Sequence, residues 1–287
     1  MPSRPSLLSV SALAFLLAAL TAISAVAQEI PPDPNAPVPA ARGARGNRAG
    51  GGAARGGPSA EIATKAAAAG PALKGGPVQP TWDSLKENYT VPEWFKDAKF
   101  GIFLHWGLYA VPAHGSEWYV QHMYGSMLPW HTGKFGPVDK FGYKDFIPLF
   151  KAERYDPDAW VTLFKKAGAK YVVPVAEHHD GFAMWDSALT KWDAKDMGPK
   201  RDLIGDLATA TRKQGLHFGL SNHRVEHYSF IPTPNVPSDL TDPADQEFYW
   251  TQNHSDALYQ KFREDWVSRN VELIEKYQPE MLYFYNG

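Results

Sequence analysis

The stretch Tyr-Val-Val-Pro-Val-Ala-Glu-His-His-Asp at residues 171–180 decides the fold. Its apolar half predicts a strand, although Pro174 cannot donate to a hydrogen-bonded ladder. Its second half changes abruptly to carboxylate and imidazole side chains. Because successive side chains of a strand point to opposite faces, His178 and His179 can both reach one pocket only from a loop or a strand terminus. The stretch therefore predicts a strand that ends at a polar site.

Strands and helices alternate on both sides of this stretch. Strands are predicted at residues 100–105, 171–176, 216–220 and 281–284, and the first of them is expected to be buried. Helices are predicted from residues 155–158 to Gly168, over 202–213 with a stop at Gly215, and over about 255–277. An acidic cap and an early proline begin the first helix, and Trp160, Leu163 and Phe164 are expected on its core face. Strands separated by helices imply a parallel sheet.

Polar and aromatic residues follow the predicted strands. They are His105-Trp106, Glu177-His178-His179-Asp180 and Ser221-Asn222-His223. In an α/β barrel the catalytic groups lie on loops after the carboxyl ends of the strands. We therefore predict an α/β fold, a (β/α)8-type barrel, over residues 81–287. Such a barrel needs about 250 residues, whereas Trp82 to Gly287 is 206 residues, so we expect a barrel that is incomplete at the C-terminus and has an exposed sheet edge.

The first 80 residues differ from the rest. Arg4, an uncharged apolar run at 7–22 and Ala25-Val26-Ala27 predict a signal peptide over residues 1–27, and hence a secreted or periplasmic protein. A membrane anchor is the alternative, but a spanning helix needs about 20 apolar residues. Residues 28–80 are rich in Pro, Gly, Ala and Arg and predict a disordered linker.

Composition and charge exclude several classes of site and partner. The chain has no cysteine, which excludes disulfides, thiolate metal sites and cysteine nucleophiles. Residues 1–80 hold seven of the 29 basic and three of the 31 acidic residues, so the remainder carries a net charge of about −6. A surface of that sign argues against nucleic acid as a partner. No membrane partner is expected after signal cleavage, and the oligomeric state is left open.

Three segments combine flat aromatic faces with imidazoles and carboxylates. They span residues 94–107 with 117–119, 177–187 and 218–227. A sugar presents apolar C–H faces and a ring of hydroxyls, so side chains of these kinds suit a carbohydrate pocket. An ordinary core role stays open for a single tryptophan such as Trp106 or Trp185, as a structural role does for a single histidine.

Three motifs resemble the α-L-fucosidase family of glycoside hydrolases. They are Phe-Gly-Ile-Phe-Leu-His-Trp-Gly at 100–107, Glu-Trp-Tyr at 117–119 and His-His-Asp-Gly-Phe-x-x-Trp-Asp-Ser at 178–187. The resemblance implies an incomplete or irregular (β/α)8 barrel, no metal or organic cofactor, and retaining hydrolysis of terminal α-L-fucose from glycans or glycoconjugates. By the same resemblance, the residues that line the fucose pocket are His105, Glu117, Trp118, His178 and His179, with Tyr283 as an aromatic residue on the nucleophile strand.

The sequence departs from the family pattern on that strand. Family members usually carry Leu-Trp-Phe-Asp, whose aspartate is the nucleophile, whereas this chain has Leu282-Tyr283-Phe284-Tyr285. Retaining glycosidases need two carboxyls about 5–5.5 Å apart, and a phenol is a poor substitute for the attacking one. Tyr285 therefore stands at the nucleophile position or simply closes a strand, and the acid/base residue is expected beyond Gly287. Ser221-Asn222-His223 is a second departure, because many members have Tyr-Tyr-Ser there.

Two alternatives to an active fucosidase follow from these departures. The first is a catalytically impaired sugar-binding homologue. The second is a metal-dependent hydrolase barrel, suggested by its histidines: His105, His178, His179, His223 and His227. Catalytic zinc usually has three protein ligands, but residues 221–229 are not predicted as a helix that would align His223 with His227. A carboxylate from Asp180, Asp186 or Glu226 also stays open.

Overall fold

A four-stranded parallel sheet forms the centre of the computed structural model, which describes residues 78–251 and 254–285. Its strands are β1 (Gly101–Leu104), β2 (Tyr171–Glu177), β3 (His217–Asn222) and β4 (Met281–Phe284), in the order β1-β2-β3-β4. Parallel strands that are neighbours both in the chain and in the sheet place their crossover segments on one face, as in a barrel. The predicted (β/α)8-type barrel architecture is confirmed as an incomplete α/β barrel.

Helices fill the segments between the strands. The α-helices are α1 (Trp82–Asn88), α2 (Glu93–Ala98), α3 (Tyr119–Met123), α4 (Leu128–Phe135), α5 (Pro157–Lys166), α6 (Leu203–Lys213), α7 (His227–Phe230), α8 (Gln246–Tyr249) and α9 (Asp256–Tyr277). Short 3₁₀ helices lie at Leu108–Ala110, Tyr143–Leu149, Arg224–Glu226, Asp239–Thr241 and Pro243–Asp245. Within the described residues, none of the helices combines the length and apolar character needed to cross a membrane. The predicted signal peptide, 1–27, and all but the last three residues of the predicted linker, 28–80, lie outside the described residues.

Side-chain caps begin the three long helices where the sequence predicts them. The carboxylate of Asp156 accepts a hydrogen bond from the N–H of Ala159 at 2.9 Å, and Asp202 accepts one from Gly205 at 2.8 Å. Ser255 caps α9 in the same way. Each cap satisfies one of the backbone donors that the first helical turn leaves free. The predicted bounds of these helices are confirmed to within about two residues.

Two predictions about burial are wrong. The first strand was expected to be buried, but the Phe103 side chain is 43% exposed because β1 has a strand neighbour on only one side among the described residues. Leu163 was expected on the core face of α5, but it is 64% exposed. Val161 and Phe164 define the packed face of α5, and at about 100° per residue Leu163 falls outside it.

A buried ion network fixes the strand ends that carry the site. Oε1 of Glu177, the last residue of β2, accepts hydrogen bonds from Arg224 at 2.7 Å and from Arg269 at 3.1 Å. Arg224 also donates to Asp265 at 2.6 Å. Arg224 follows β3, and Arg269 and Asp265 belong to α9. The network therefore holds the ends of two strands against the longest helix.

Candidate functional site

Aromatic rings from all four strand ends meet in one place. His105 directly follows β1, His178 follows β2, His223 follows β3 and Tyr285 follows β4. The ring centroid of His223 lies 5.1 Å from that of His105, 4.7 Å from that of His178 and 4.6 Å from that of Tyr285. The carboxyl ends of the strands thus form a single cluster, as the barrel prediction requires.

His178 and His179 both belong to this cluster. Their ring centroids lie 4.5 Å apart, and the His179 ring is 5.3 Å from that of His223. The two residues come just after β2 and precede Gly181, whose φ of +78° is readily adopted by glycine. A Cβ at Gly181 would also lie 2.8 Å from Nε2 of His227. The turn explains how adjacent histidines reach one pocket, as predicted.

Glu117 and Trp118 approach the cluster from the loop after β1. The edge of the Trp118 ring meets the His179 ring at 90°, with centroids 6.1 Å apart. Desolvation lowers the pKa of His105 and of His179, and the charge of Glu117 opposes this lowering at both, together with Glu226 at His179. The structure therefore brings both predicted residues close to the histidines.

Burial favours the neutral form of His178 and His223. Desolvation, with a smaller contribution from neighbouring histidines, lowers the pKa of His223 to about 3 and lowers that of His178 strongly. A neutral imidazole has one donor and one acceptor nitrogen. Nδ1 of His178, both ring nitrogens of His179 and Nδ1 of His223 have no hydrogen-bond partner among the described residues. Such groups suit hydroxyls, which both donate and accept.

Tyr283 on β4 and Tyr285, which directly follows that strand, lie close together. Tyr283 contacts Phe103 with ring centroids 5.7 Å apart, and it lies 6.5 Å from the Tyr285 ring. Tyr285 stacks face-on against His223 at an interplanar angle of 11°. The N–H of Tyr285 donates to the carbonyl oxygen of Asn222 at 3.4 Å. Tyr285 therefore adds a flat aromatic wall where a carboxylate stands in the family pattern.

The three candidate carboxylates have different surroundings. Asp180 is buried and accepts hydrogen bonds from the Tyr143 hydroxyl at 2.7 Å and from the N–H of Phe182 at 3.1 Å. Asp186 pairs with Lys276 at 2.8 Å. Oε2 of Glu226 lies 3.6 Å from Nδ1 of His179, and its side chain is 38% exposed. Of the three, Glu226 is the one that approaches the cluster and stays accessible.

His227 does not belong to the cluster. Residues 221–229 were not predicted as a helix that would align His223 with His227; the structure continues β3 to Asn222, and only from Arg224 does a 3₁₀ turn lead into α7. The His227 ring nitrogens lie 2.5 Å from the carbonyl oxygen of His179 and 2.7 Å from that of Phe248. Main-chain contacts thus occupy both nitrogens, which excludes His227 from the predicted metal alternative.

Two aromatic residues of the site escaped the sequence analysis. Phe230 stacks on His179 with ring centroids 4.5 Å apart, and the buried Tyr109 lies 5.0 Å from His178. Both come from short helical turns that follow strands, Phe230 from α7 and Tyr109 from the 3₁₀ helix at Leu108–Ala110. Their position after β3 and β1 was the available signal, but neither lies in a recognisable motif.

Comparison with known proteins identifies the family. A family model described as Alpha-L-fucosidase matches residues 66–286. Tissue alpha-L-fucosidase of Bos taurus is 37% identical over 207 residues, which cover 71% of this chain and 41% of the bovine protein. The human tissue enzyme is 44% identical over 154 residues, which cover 52% of this chain and 32% of the human protein. The chain thus spans less than half the length of these curated relatives.

Solved structures agree with these matches. An alpha-fucosidase of Thermotoga maritima in complex with fucose is 36% identical, with a TM-score of 0.58 over 73% of this chain and 50% of that one. The same enzyme with a mechanism-based inhibitor is 37% identical, with a TM-score of 0.58 over 72% of this chain and 49% of that one. Sequence and architecture therefore point the same way, and the chain belongs to the α-L-fucosidase family of glycoside hydrolases.

Proposed function

We propose that this chain binds a terminal α-L-fucosyl group of a glycan or glycoconjugate and hydrolyses its glycosidic bond with retention of configuration. The observation that carries the proposal is the convergence of His105, His178 and His179 with Trp118 at the strand ends. The Thermotoga maritima relative in complex with fucose supports this choice of sugar.

The chemistry of the cluster suits a sugar ring. Neutral imidazoles donate and accept hydrogen bonds, so they can bind hydroxyls of either orientation. The Trp118 and Tyr285 rings offer apolar faces to the C–H side of the sugar. Because several ring nitrogens are buried without a protein partner, hydroxyls that bind there would satisfy groups that otherwise cost about 1–3 kcal/mol each.

Bond cleavage needs carboxyl groups, and Glu226 is the one we assign to proton transfer. Its oxygen lies near His179 and its side chain is accessible. In a retaining reaction an attacking group forms a covalent bond to the anomeric carbon while an acid gives its proton to the departing glycosidic oxygen, and the same residue, now a carboxylate, then takes a proton from the water that breaks that bond. Glu226 would be this acid and base, and the attacking group would stand at the end of β4, where this chain has Tyr285. Glu117 is the second acidic group whose charge acts on the cluster.

A sugar-binding protein without turnover is the second candidate. Tyr285 favours it, because a phenol stands at the strand end where the family places its attacking carboxylate. Tyrosine nucleophiles exist in sialidases, but a base must activate them. Tyr285 stacks on the face of the His223 ring. The nitrogens of His223 lie in the plane of that ring, so the stacked arrangement does not direct one of them at Tyr285 as a base.

One set of measurements separates the two candidates. We would measure 4-nitrophenol release from its α-L-fucoside, and fucose binding by calorimetry, for the native chain and for Tyr285→Asp. Release by the native chain, with the α-anomer as first product by NMR, supports the enzyme. Fucose binding by both chains with release only by Tyr285→Asp supports the binding protein. If neither chain binds fucose, both proposals are wrong.

A further inference from the structure

A second cavity lies between the end of β1 and the start of α5, and we call it the aromatic cavity. Its volume is about 350 Å³, and the rings of Trp106, Phe150, Tyr155 and Trp160 line it. The ring centroids of Tyr155 and Trp160 lie 5.2 and 5.4 Å from that of Trp106. None of the described residues that line this cavity belongs to the imidazole cluster.

We propose that the aromatic cavity binds a hexopyranose ring of a glycan, other than the fucosyl group assigned to the imidazole cluster. The site goes beyond the proposed function, because it would hold a sugar without cleaving it. The choice of a glycan as ligand rests on that function, whose substrates are glycans. The volume supports the choice, since cavities that hold small ligands measure about 300–1,000 Å³.

The end of β1 contributes one side chain to each site. The His105 ring points into the imidazole cluster, where its centroid lies 5.1 Å from that of His223. The next residue, Trp106, instead packs against Trp160 of α5. Consecutive α-carbons are about 3.8 Å apart, so the two sites are neighbours on one strand end. A glycan that approaches the imidazole cluster therefore also meets the aromatic cavity.

The two tryptophans of the aromatic cavity offer what a sugar ring needs. Trp106 and Trp160 are partly exposed, and the indole N–H of neither donates to another residue in the described part of the chain. An indole N–H is a donor that a sugar hydroxyl can accept, and the ring faces suit the C–H side of a pyranose. Phe150 and Tyr155 are buried behind them, and the Tyr155 hydroxyl donates to the carbonyl oxygen of Leu203 at 2.7 Å.

The charged side chains at the cavity favour a neutral, hydroxylated ligand. Lys151, Glu153 and Arg154 line it and are exposed, and their charged groups have no partner within residues 78–251 and 254–285. Together they provide donors and an acceptor for hydroxyls. Aromatic walls also bind organic cations, but here two positive groups outnumber the one negative group. A cationic ligand is therefore disfavoured.

Indole N–H signals provide a test that leaves the native chain intact. We would titrate the ¹⁵N-labelled chain with N-acetyllactosamine, a disaccharide without fucose, and with cellobiose as a second probe. Single Trp→Phe variants assign the NMR signals. We expect the indole signals of Trp106 and Trp160 to shift with one Kd, and that of Trp82 to stay in place because its side chain is 79% exposed on α1. Saturating fucose should leave this Kd unchanged, because fucose is assigned to the other site.

Two variants test the site from opposite directions. Trp160→Ala removes a wall and should weaken disaccharide binding about tenfold or more, since truncation of a tryptophan at the centre of a binding site is typically costly. Ala110→Phe adds a ring at an exposed residue that lines the cavity, so it should obstruct the ligand with little risk to folding. Trp82→Ala is the matched control and should bind as the native chain does.

The outcomes for the aromatic cavity and for the proposed function are separate. The inference is overturned if neither disaccharide binds, if saturating fucose displaces the disaccharide, or if Ala110→Phe and a folded Trp160→Ala keep the native Kd. Disaccharide binding that His178→Phe leaves unchanged supports it. If fucose itself does not bind, the proposed function is wrong, and the disaccharide titration still decides whether the aromatic cavity is a sugar site.

Discussion

His178 is a buried imidazole at the centre of the cluster, and the sugar proposal can be tested on it. Its ring lies between those of His105, His179 and His223. His178→Phe keeps an aromatic ring there but removes its donor and its acceptor. We expect the Kd for fucose, measured by calorimetry, to rise about tenfold, which corresponds to about 1.4 kcal/mol. His114→Phe, at a histidine whose ring stacks outside the cluster, should leave the Kd unchanged, and an unaltered Kd in His178→Phe would remove that imidazole from the binding site.

Asp193 should make stability depend on pH in an unusual direction. Its carboxyl is buried, and desolvation raises its pKa to about 6 despite hydrogen bonds from the N–H groups of Lys195 and Asp196. The folded-state pKa therefore lies above the unfolded value. Between about pH 4 and pH 6 the folded chain binds more protons at this group, so its contribution to stability falls as pH rises through that window.

Asp193→Asn removes this titration. We expect the free energy of unfolding of the variant, relative to the native chain, to increase by roughly 2 kcal/mol between pH 4 and pH 7, since one pKa unit corresponds to about 1.36 kcal/mol. Urea denaturation of both chains at each pH measures the difference, in which other titrating groups cancel. A constant difference across this range would contradict the assigned pKa.

The buried ion network that joins the ends of β2 and β3 to α9 should be sensitive to substitution. Glu177→Gln removes the carboxylate that Arg224 and Arg269 share, leaving two buried guanidiniums whose remaining ion-pair partner is the partly exposed Asp265. Breaking a buried pair by removing one partner typically costs about 3–5 kcal/mol, so we expect a loss of that size in denaturant unfolding. Glu280→Gln is the control, because its pair with His217 is exposed and such pairs contribute less than about 1 kcal/mol. Equal effects of the two variants would show that the network is not structural.

The sequence predicts the strands and long helices because local signals and packing agree there. An acidic cap is predicted for the first helix and Asp156 provides it, while Asp202 and Ser255 cap the other two long helices at their predicted starts. The irregular segments 108–149 and 224–249 have no such period, and their short helices are set by contacts with distant elements. Tyr124, for example, donates to Asp239, 115 positions further along the chain.

The residues of the site that lie in local sequence motifs could also be predicted, whereas those brought in by distant contacts could not. The motif at 178–187 predicts a pocket after β2, and its histidines do meet His105 and His223. Phe230 reaches His179 only because a helical turn at 224–230 brings it back. No residue pattern in the sequence specifies that return, so this wall of the pocket could not be predicted.

The two outer strands of the sheet affect whether whole molecules associate with one another. Among the described residues, β1 and β4 each pair on one side only, and the side chain of Phe284 on β4 is 45% exposed. Unpaired strand edges with apolar side chains promote association, and a lysine on the edge opposes it. We expect the apparent mass of the chain in light scattering to rise with concentration, and Phe284→Lys to reduce that rise. Leu163→Lys adds the same charge at an exposed leucine of α5 and should leave association unchanged. Equal suppression by both variants would indicate that net charge, and not the strand edge, controls association.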